Sequence, residues 1–275
     1  MEVLARLPPA LLSHLRIVAA RDFNVQAVDD WEALARAIRA TPVDVAVIDP
    51  REGGTMRTEE IRQLLGRYGS LPVVVYTTLT PEALQATVEL AKYGVQHVVL
   101  RGFDDEPRRF RALLERVPAD AMSEQMLGLL AVALEGAPLP LVRAVERLFR
   151  TPHGFRDVED LAVAAGLNRR SLDRWLDRIG VASAKSFVVG ARMLRGYFYM
   201  RDTGYLLDDV AAKLGYPTAR LFARQMRLAT GLMPSTIRNR VEPEEFVANL
   251  AARLCRRERG LNGDVRETDA HTGSR

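Results

Sequence analysis

Up to Arg116 the chain alternates two kinds of apolar pattern. Short strand-like runs fall at Val3–Ala5, Val25–Val28, Val43–Ile48, Val73–Tyr76 and Val98–Leu100. Between and after them lie stretches with apolar residues at helical spacing: Pro9–Ala19, Trp31–Ala40, Thr58–Tyr68, Pro81–Tyr93 and Pro107–Val117. Asp30 before Trp31, and Thr80 before Pro81-Glu82, mark helix starts by placing a capping residue ahead of the first turn. Five strands alternating with five helices predict an α/β fold, a doubly wound parallel sheet covered on both faces. The runs at Val43 and Val73 are apolar nearly throughout, as strands buried on both sides should be.

From Pro118 the pattern changes. A connecting stretch punctuated by Pro118, Gly136, Pro138, Pro140, Pro152 and Gly154 holds two helix patterns, Ser123–Leu134 and Leu139–Phe149. Leu141, Val145 and Leu148 give the second an apolar stripe that is expected to pack onto the next domain. Two segments built on one plan come next, LAVAAGLNRRSLDRWLDRIG (161–180) and VAAKLGYPTARLFARQMRLATG (210–231). In each, a short Ala-rich helix pattern ends at a glycine, Gly166 or Gly215, before a longer helix with arginines on one side. These are the parts of a helix-turn-helix, whose second helix can enter a DNA major groove.

The first unit has Asp157 as a cap with Asp160 three residues on, and Asn168 as the cap of its second helix. Leu172, Trp175 or Leu176, and Ile179 form the expected buried stripe, opposite Arg170, Asp173, Arg174 and Asp177. In the second unit Asp208 and Asp209 suit a first turn. Phe222, Met226 and Leu228 or Ala229 turn inward there, while Ala219, Arg220, Ala223, Arg224 and Arg227 turn outward. Between the units Ser183–Arg201 reads as one helix with Phe187, Ala191, Leu194 and Phe198 inward. At about 1.5 Å per residue it spans roughly 28 Å, so it can hold two reading helices about one DNA turn apart. The boundaries expected are 1–117, a connector 118–138, an all-α domain 139–240, and a tail 241–275. That tail carries a helix pattern, Pro243–Arg257, an arginine cluster at Arg253, Arg256, Arg257 and Arg259, and an end expected to be disordered.

Charge sharpens this division. The 275 residues carry a net charge of +4. Met1 to Pro118 holds 15 Lys/Arg against 16 Asp/Glu, whereas Leu161 to Arg240 holds 14 against 5. The positive charge sits with the paired motif, as neutralising phosphates would require. Cys255 is the one cysteine, and His14, His97, His153 and His271 are scattered, so neither a disulfide framework nor a metal site is expected, and no cofactor. Arg6, His14 and Arg16 interrupt the opening apolar runs, unlike a secretory signal, and no run is long enough to span a bilayer. A cytoplasmic setting is expected.

These residues carry two resemblances. Met1 to Val117, with Asp49 ending the third strand, resembles the receiver domain of response regulators. In that family an acidic pair after the first strand holds Mg²⁺ and an aspartate after the third accepts a phosphoryl group. A Thr or Ser after the fourth strand and a Lys after the fifth complete the site. Asp49 matches the acceptor and Thr77 or Thr78 the hydroxyl. The first strand, however, ends in Arg6, Leu7 and Pro8, and the lysine position holds Arg101, with Gly102 next where proline is usual. One carboxylate without a partner pair is a poor Mg²⁺ site. The resemblance therefore implies a degenerate receiver, with Asp49 a vestigial phosphoacceptor that caps a turn, and with Arg101 placed to pair with it. Protein contact or dimerisation is the role implied. The rival reading is a phosphorylation-controlled response regulator in which Asp49 works.

Asp157 to Arg240 resembles the AraC/XylS-type DNA-binding domain through LAVAAGLNRRSLDRWL, the ARML of the spacer, DDVAAKLGYPTARLFARQMRLATG and the closing MPSTIRNR. The resemblance implies two helix-turn-helix units reading successive major grooves of double-stranded DNA. The DNA-facing set it implies is Arg169, Arg170, Asp173 and Arg174, then Thr218, Ala219, Arg220, Arg224 and Arg227. Asp173 is acidic at a reading position, Tyr216 stands where phenylalanine is usual, and Met233 where threonine is common. The expected function is a non-enzymatic transcription regulator, with RNA polymerase and a second copy of the chain, through the N-terminal domain, as further partners.

Overall fold

The computed structural model describes residues 1–20, 23–52, 55–117 and 121–255. The first half forms strands β1 (Glu2–Arg6), β2 (Asn24–Ala27), β3 (Val45–Ile48), β4 (Arg51–Glu52), β5 (Thr55–Met56), β6 (Val73–Thr77) and β7 (His97–Leu100). Helices α1 (Pro9–Ala19), α2 (Trp31–Ala40), α3 (Thr58–Arg67), α4 (Pro81–Ala91) and α5 (Pro107–Arg116) connect and extend them. Five strands pair in parallel in the order β2-β1-β3-β6-β7, with Val3 beside Val25 and Val45, and Val75 beside Val98. Residue alternation sorts the side chains. Val3, Ala5, Val45, Val47, Val74 and Tyr76 pack under α1 and α5 on one face, while Leu4, Ala46, Ile48, Val73 and Val75 meet Leu34, Ile38, Ile61 and Leu64 on the other.

This is the doubly wound architecture expected, and its strand order is that of receiver-like sheets. Asp30 and Thr80 cap α2 and α4, accepting from Ala33 N at 2.6 Å and Ala83 N at 3.2 Å. The small antiparallel pair β4–β5, with Arg51 opposite Met56, has no counterpart among the expected strands. Its strands are two residues each, too short for an alternating pattern to register.

The second half is helical: α6 (Ala121–Ala133), α7 (Leu139–Arg150), α8 (Val158–Ala164), α9 (Arg169–Ile179), α10 (Ala184–Arg201), α11 (Leu207–Lys213), α12 (Ala219–Thr230), α13 (Pro234–Arg240) and α14 (Pro243–Cys255). Ser183 caps α10 as its position suggests, accepting from Ser186 N at 3.2 Å. The apolar stripe expected on α10 is too narrow, because the helix is buried nearly all round. Val188, Met193, Tyr197, Tyr199 and Met200 are covered along with Phe187, Ala191 and Leu194, and Phe198 is only half-buried. Helices α7, α8, α11, α12, α13 and α14 all pack on it. Helix α14 is part of this core: Ala182 N donates to Leu254 O at 2.9 Å, and Leu250 and Leu254 are fully covered. Helix α6, from the expected connector, packs on α7 and α14. Arg253 bonds Asn249 Oδ1 at 3.2 Å. The rest of the arginine cluster and the expected disordered end lie outside the described residues.

The halves share one apolar core across a polar seam. On the helical side the seam is built from α11 and the Asp202–Tyr205 turn before it. Asp202 accepts from Ser70 N at 3.0 Å and Ser70 Oγ at 2.5 Å, and Gly204 N donates to Arg67 O at 3.0 Å. Arg39 pairs with Asp209 at 2.9 Å, and Lys213 donates to Thr41 O. The Lys213 ammonium also lies 5.2 and 5.0 Å from the rings of Tyr199 and Tyr205. A Cβ on Gly204 would come within 2.3 Å of the Tyr68 ring, so glycine is required for this approach.

Burial is not fully offset by these bonds. Desolvation pushes the Asp202 carboxyl up to about 6 against the bonds from Ser70, and pushes the Lys213 ammonium down to about 7. A carboxyl whose folded value is raised stabilises the fold most below its unfolded value, near 4, and loses that contribution as pH rises through about 6. Asp202→Asn removes the titration and keeps an acceptor for Ser70. Urea midpoints should therefore show the variant gaining roughly 2–3 kcal/mol on the wild type between pH 4 and pH 7. A difference that stays flat over that window would refute the assignment.

Candidate nucleic-acid interface

The turns of the two helix pairs close through the same backbone hydrogen bonds. At the end of α8, Gly166 N bonds Val163 O at 3.0 Å and Leu167 N bonds Ala162 O at 2.9 Å. At the end of α11, Gly215 N bonds Ala212 O at 3.0 Å and Tyr216 N bonds Ala211 O at 2.9 Å. Gly166 and Gly215 sit at φ +65° and +77°, the left-handed region a side chain resists. The second helices, α9 and α12, also end at left-handed glycines, Gly180 and Gly231.

Each pair also has its starts fixed by side chains. Asp157 Oδ1 accepts from Glu159 N and Asp160 N, and Asp160 Oδ2 reaches back to Arg156 N at 2.7 Å. Asn168 Oδ1 accepts from Ser171 N at 2.9 Å, and Thr218 Oγ1 from Leu221 N at 3.2 Å. Thr218 is thus the cap that aims α12, and it stays exposed. The inward sides of the two helices are Leu172 and Leu176 on α9, and Phe222, Met226 and Ala229 on α12. Trp175 is only half-buried and carries the Arg178 guanidinium over its ring at 4.5 Å. The alternatives are thereby resolved to Leu176 and Ala229, and Leu228 is exposed.

The outward sides carry the charge. Arg169, Arg170, Asp173 and Arg174 on α9, and Arg220, Arg224 and Arg227 on α12, are all exposed. Ala219 is half-buried against the core. Arg174 rests on Ser171 Oγ at 3.2 Å. The other five arginines make no ion pair among the described residues. Helix α12 contains no acid, whereas Asp173 and Asp177 dilute the charge of α9.

Residues 161–240 match the family model described as a helix-turn-helix domain. This segment is an AraC-type helix-turn-helix domain. No curated protein matches the chain. Among solved structures, NtrX from Brucella abortus in complex with ATP aligns at 15% identity and a TM-score of 0.39. That alignment covers 55% of this chain and about a third, 35%, of NtrX. Full-length FixJ from B. japonicum aligns at 16% identity and the same TM-score, covering 88% of this chain and 98% of FixJ. The receiver-like assignment of the first half rests on its own strand order.

Not all the basic residues of the helix-turn-helix domain are available to a ligand. Arg195 is buried and donates to Arg150 O at 2.8 Å. Arg192 donates to Phe155 O and Arg156 O. Arg238, in the closing MPSTIRNR, holds Met200 O at 2.8 Å and Tyr205 O at 3.0 Å, pinning the end of α10. Lys213 belongs to the seam. Sequence counting could not separate these from the free arginines, because each binds a backbone carbonyl distant in sequence. Conversely, Arg156 and Lys185, outside the expected set, are exposed beside Arg169 around a concavity of about 400 Å³.

The receiver-like half places Asp49 at the end of β3, buried, where its Oδ1 accepts from Thr77 Oγ1 and Arg51 N, both at 3.0 Å. Burial raises its pKa, and those two bonds oppose the rise, with the Arg51 and Arg6 charges behind them. The expected Arg101–Asp49 pair does not form. Arg101 is exposed and shares a hollow of about 260 Å³ with Asp49, and the charges on Asp49 come from Arg51 and Arg6 instead. Arg6 is buried, paired with Glu52 and stacked 4.5 Å over Trp31. A guanidinium occupies the strand end where an acidic pair would be needed, and the donor set does not fit a Mg²⁺ ion. Phosphoryl transfer without a divalent ion leaves the developing charge without its usual counter-ion.

Incubation with acetyl phosphate and Mg²⁺ should therefore leave the intact mass unchanged, and Asp49→Ala should leave DNA affinity within about twofold, on the order of 0.4 kcal/mol. A phosphoryl adduct on Asp49 would reinstate the phosphorelay reading. For the helices, Phe222→Ala should cost about 3–5 kcal/mol and Leu176→Ala about 2–5 kcal/mol by denaturant unfolding. Trp175→Ala should cost less than either, because part of its surface is already in water.

Proposed function

We propose that this chain is a sequence-specific transcription regulator that sets α9 and α12 into successive major grooves of double-stranded DNA. The observation that carries the reading is the pair of exposed arginine faces held on one rigid helix. Helix α10 runs 18 residues, about 27 Å at the α-helical rise, comparable with one DNA turn of roughly 34 Å. Arg170, Asp173 and Arg174, with Arg220 and Arg224, are the base-reading set. Arg169 and Arg227 serve the backbone, and Thr218 with Ala219 fixes the approach of α12. An arginine holds a guanine edge through two parallel hydrogen bonds, and a carboxylate such as Asp173 accepts from a cytosine amino group. Residues 139–240 form the DNA-reading unit.

The receiver-like half contributes no phosphorelay in this reading. It supplies contacts. Leu84 and Val88 stand exposed four residues apart on α4, an apolar stripe for a second copy of the chain. RNA polymerase is the further partner, and the cytoplasm the setting. Among the described residues no helix is long and apolar enough to cross a membrane.

Arg174→Ala and Arg220→Ala should each weaken operator binding by about 1–3 kcal/mol while leaving the thermal midpoint unchanged, since both side chains are exposed. Arg227→Ala should weaken all sequences alike and lower the salt slope by about one. Operator affinity unchanged in both Arg174→Ala and Arg220→Ala would remove α9 and α12 from the groove.

A further inference from the structure

A second concave site lies where the two halves meet, at the N-terminal ends of β6 and β7 and far from Asp49. It is a cleft of about 650 Å³, open to solvent. One wall comes from the sheet, through Leu71, Val73, Gln96 and His97; the other is α10, through Tyr197, Phe198 and Arg201. Buried Val117 and Met122 line it, giving an apolar base. Arg116, at the end of α5, and Arg201, at the end of α10, are both exposed, which places them at the mouth.

The cleft carries charges of both signs, Arg116 and Arg201 as its cations and, beside Pro243 and near Tyr197, Glu242, Glu244 and Glu245. Neither Arg116 nor Arg201 makes an ion pair among the described residues. Asp202 also borders the cleft, but its oxygens are taken by Ser70 N and Ser70 Oγ. Burial first, and the nearby Arg116 charge second, hold the His97 imidazole below its usual pKa, so at neutral pH it offers a neutral ring nitrogen. Two cations at the mouth of an aromatic and aliphatic cleft of ligand size call for a molecule with an anionic head and an apolar body.

We propose that this cleft binds a small organic carboxylate, its head between Arg116 and Arg201 and its aromatic or aliphatic body against Tyr197, Phe198 and Met122. Inorganic anions lack the body and long-chain alcohols lack the head. A molecule seated there touches both halves at once, so it binds the docked arrangement and not the undocked one, and it stabilises the seam by mass action. This inference is independent of how the chain meets DNA.

Titration calorimetry and thermal unfolding of the full chain, with 3-phenylpropanoate, octanoate, 3-phenylpropanamide and inorganic phosphate as probes, test it. At least one of the two carboxylates should bind and raise the midpoint, while the neutral amide and phosphate bind at least tenfold more weakly. Arg116→Gln and Arg201→Gln, both at exposed positions, should keep the ligand-free midpoint and each lose about tenfold in carboxylate affinity, whereas Arg36→Gln, on the exposed face of α2 and outside the cleft, should lose none. The proposal is overturned if neither carboxylate binds. It is equally overturned if the amide or phosphate binds as well as the carboxylates, or if both cleft variants retain wild-type affinity.

Discussion

The structure depends on the burial of α10 along most of its surface. A helix covered on nearly every side must let its neighbours come close, and two glycines within it, Gly190 and Gly196, make that possible. A Cβ on Gly190 would lie 3.1 Å from Leu254 of α14; one on Gly196 would lie 3.0 Å from Leu214 and 3.1 Å from Phe222. Mid-helix glycine costs roughly 1 kcal/mol relative to alanine. Here that cost is set against the packing of α12, which carries the second arginine face, and of α14, which closes the core. The position of α12 against α10 therefore depends on a packing contact at Gly196.

The same helix ends at the seam. Arg201 and Asp202 close α10, Gly204 approaches Tyr68, and α11 starts against α2. The first helix of the second DNA-reading unit is thus held from two directions, by α10 within its own domain and by Arg39 and Thr41 of the sheet domain. Buried charge at such a contact is poor glue, because desolvation offsets most of the attraction. Its effect is on specificity: Asp202 and Lys213 are satisfied only in this docked arrangement, so a slipped arrangement leaves both charges stranded.

Much of this is legible in the sequence, and the reasons differ by element. The α/β half announces itself because strands buried on both faces are apolar throughout and cannot be mistaken for amphipathic helices. Pro9–Ala19 and Trp31–Ala40 come out to the residue because a proline or a capping aspartate fixes each start. The helix-turn-helix units are legible through their glycines, which a left-handed turn requires. The buried stripe of α10 comes out too narrow for the opposite reason. Periodicity reports one covered face, and a helix covered on nearly all sides has little contrast to report. Trp175 is ambiguous because an aromatic residue flanked by Leu172 and Leu176 fits the inward stripe on spacing alone; the Arg178 guanidinium covers its outer face.

What the sequence conceals is the destination of long polar side chains. Arg6 reads as the end of a strand, yet it is buried over Trp31 and paired with Glu52 from β4, a strand too short to leave a pattern. Arg192, Arg195 and Arg238 each count toward the positive charge of the paired motif, yet each binds a carbonyl more than thirty residues away in the chain. An arginine is the residue suited to both uses, since its planar fork serves a carbonyl as well as it serves a phosphate or a base. Net charge over a segment consequently overstates the charge a ligand meets. On α9 and α12 the arginines available to a ligand are those whose side chains point away from α10.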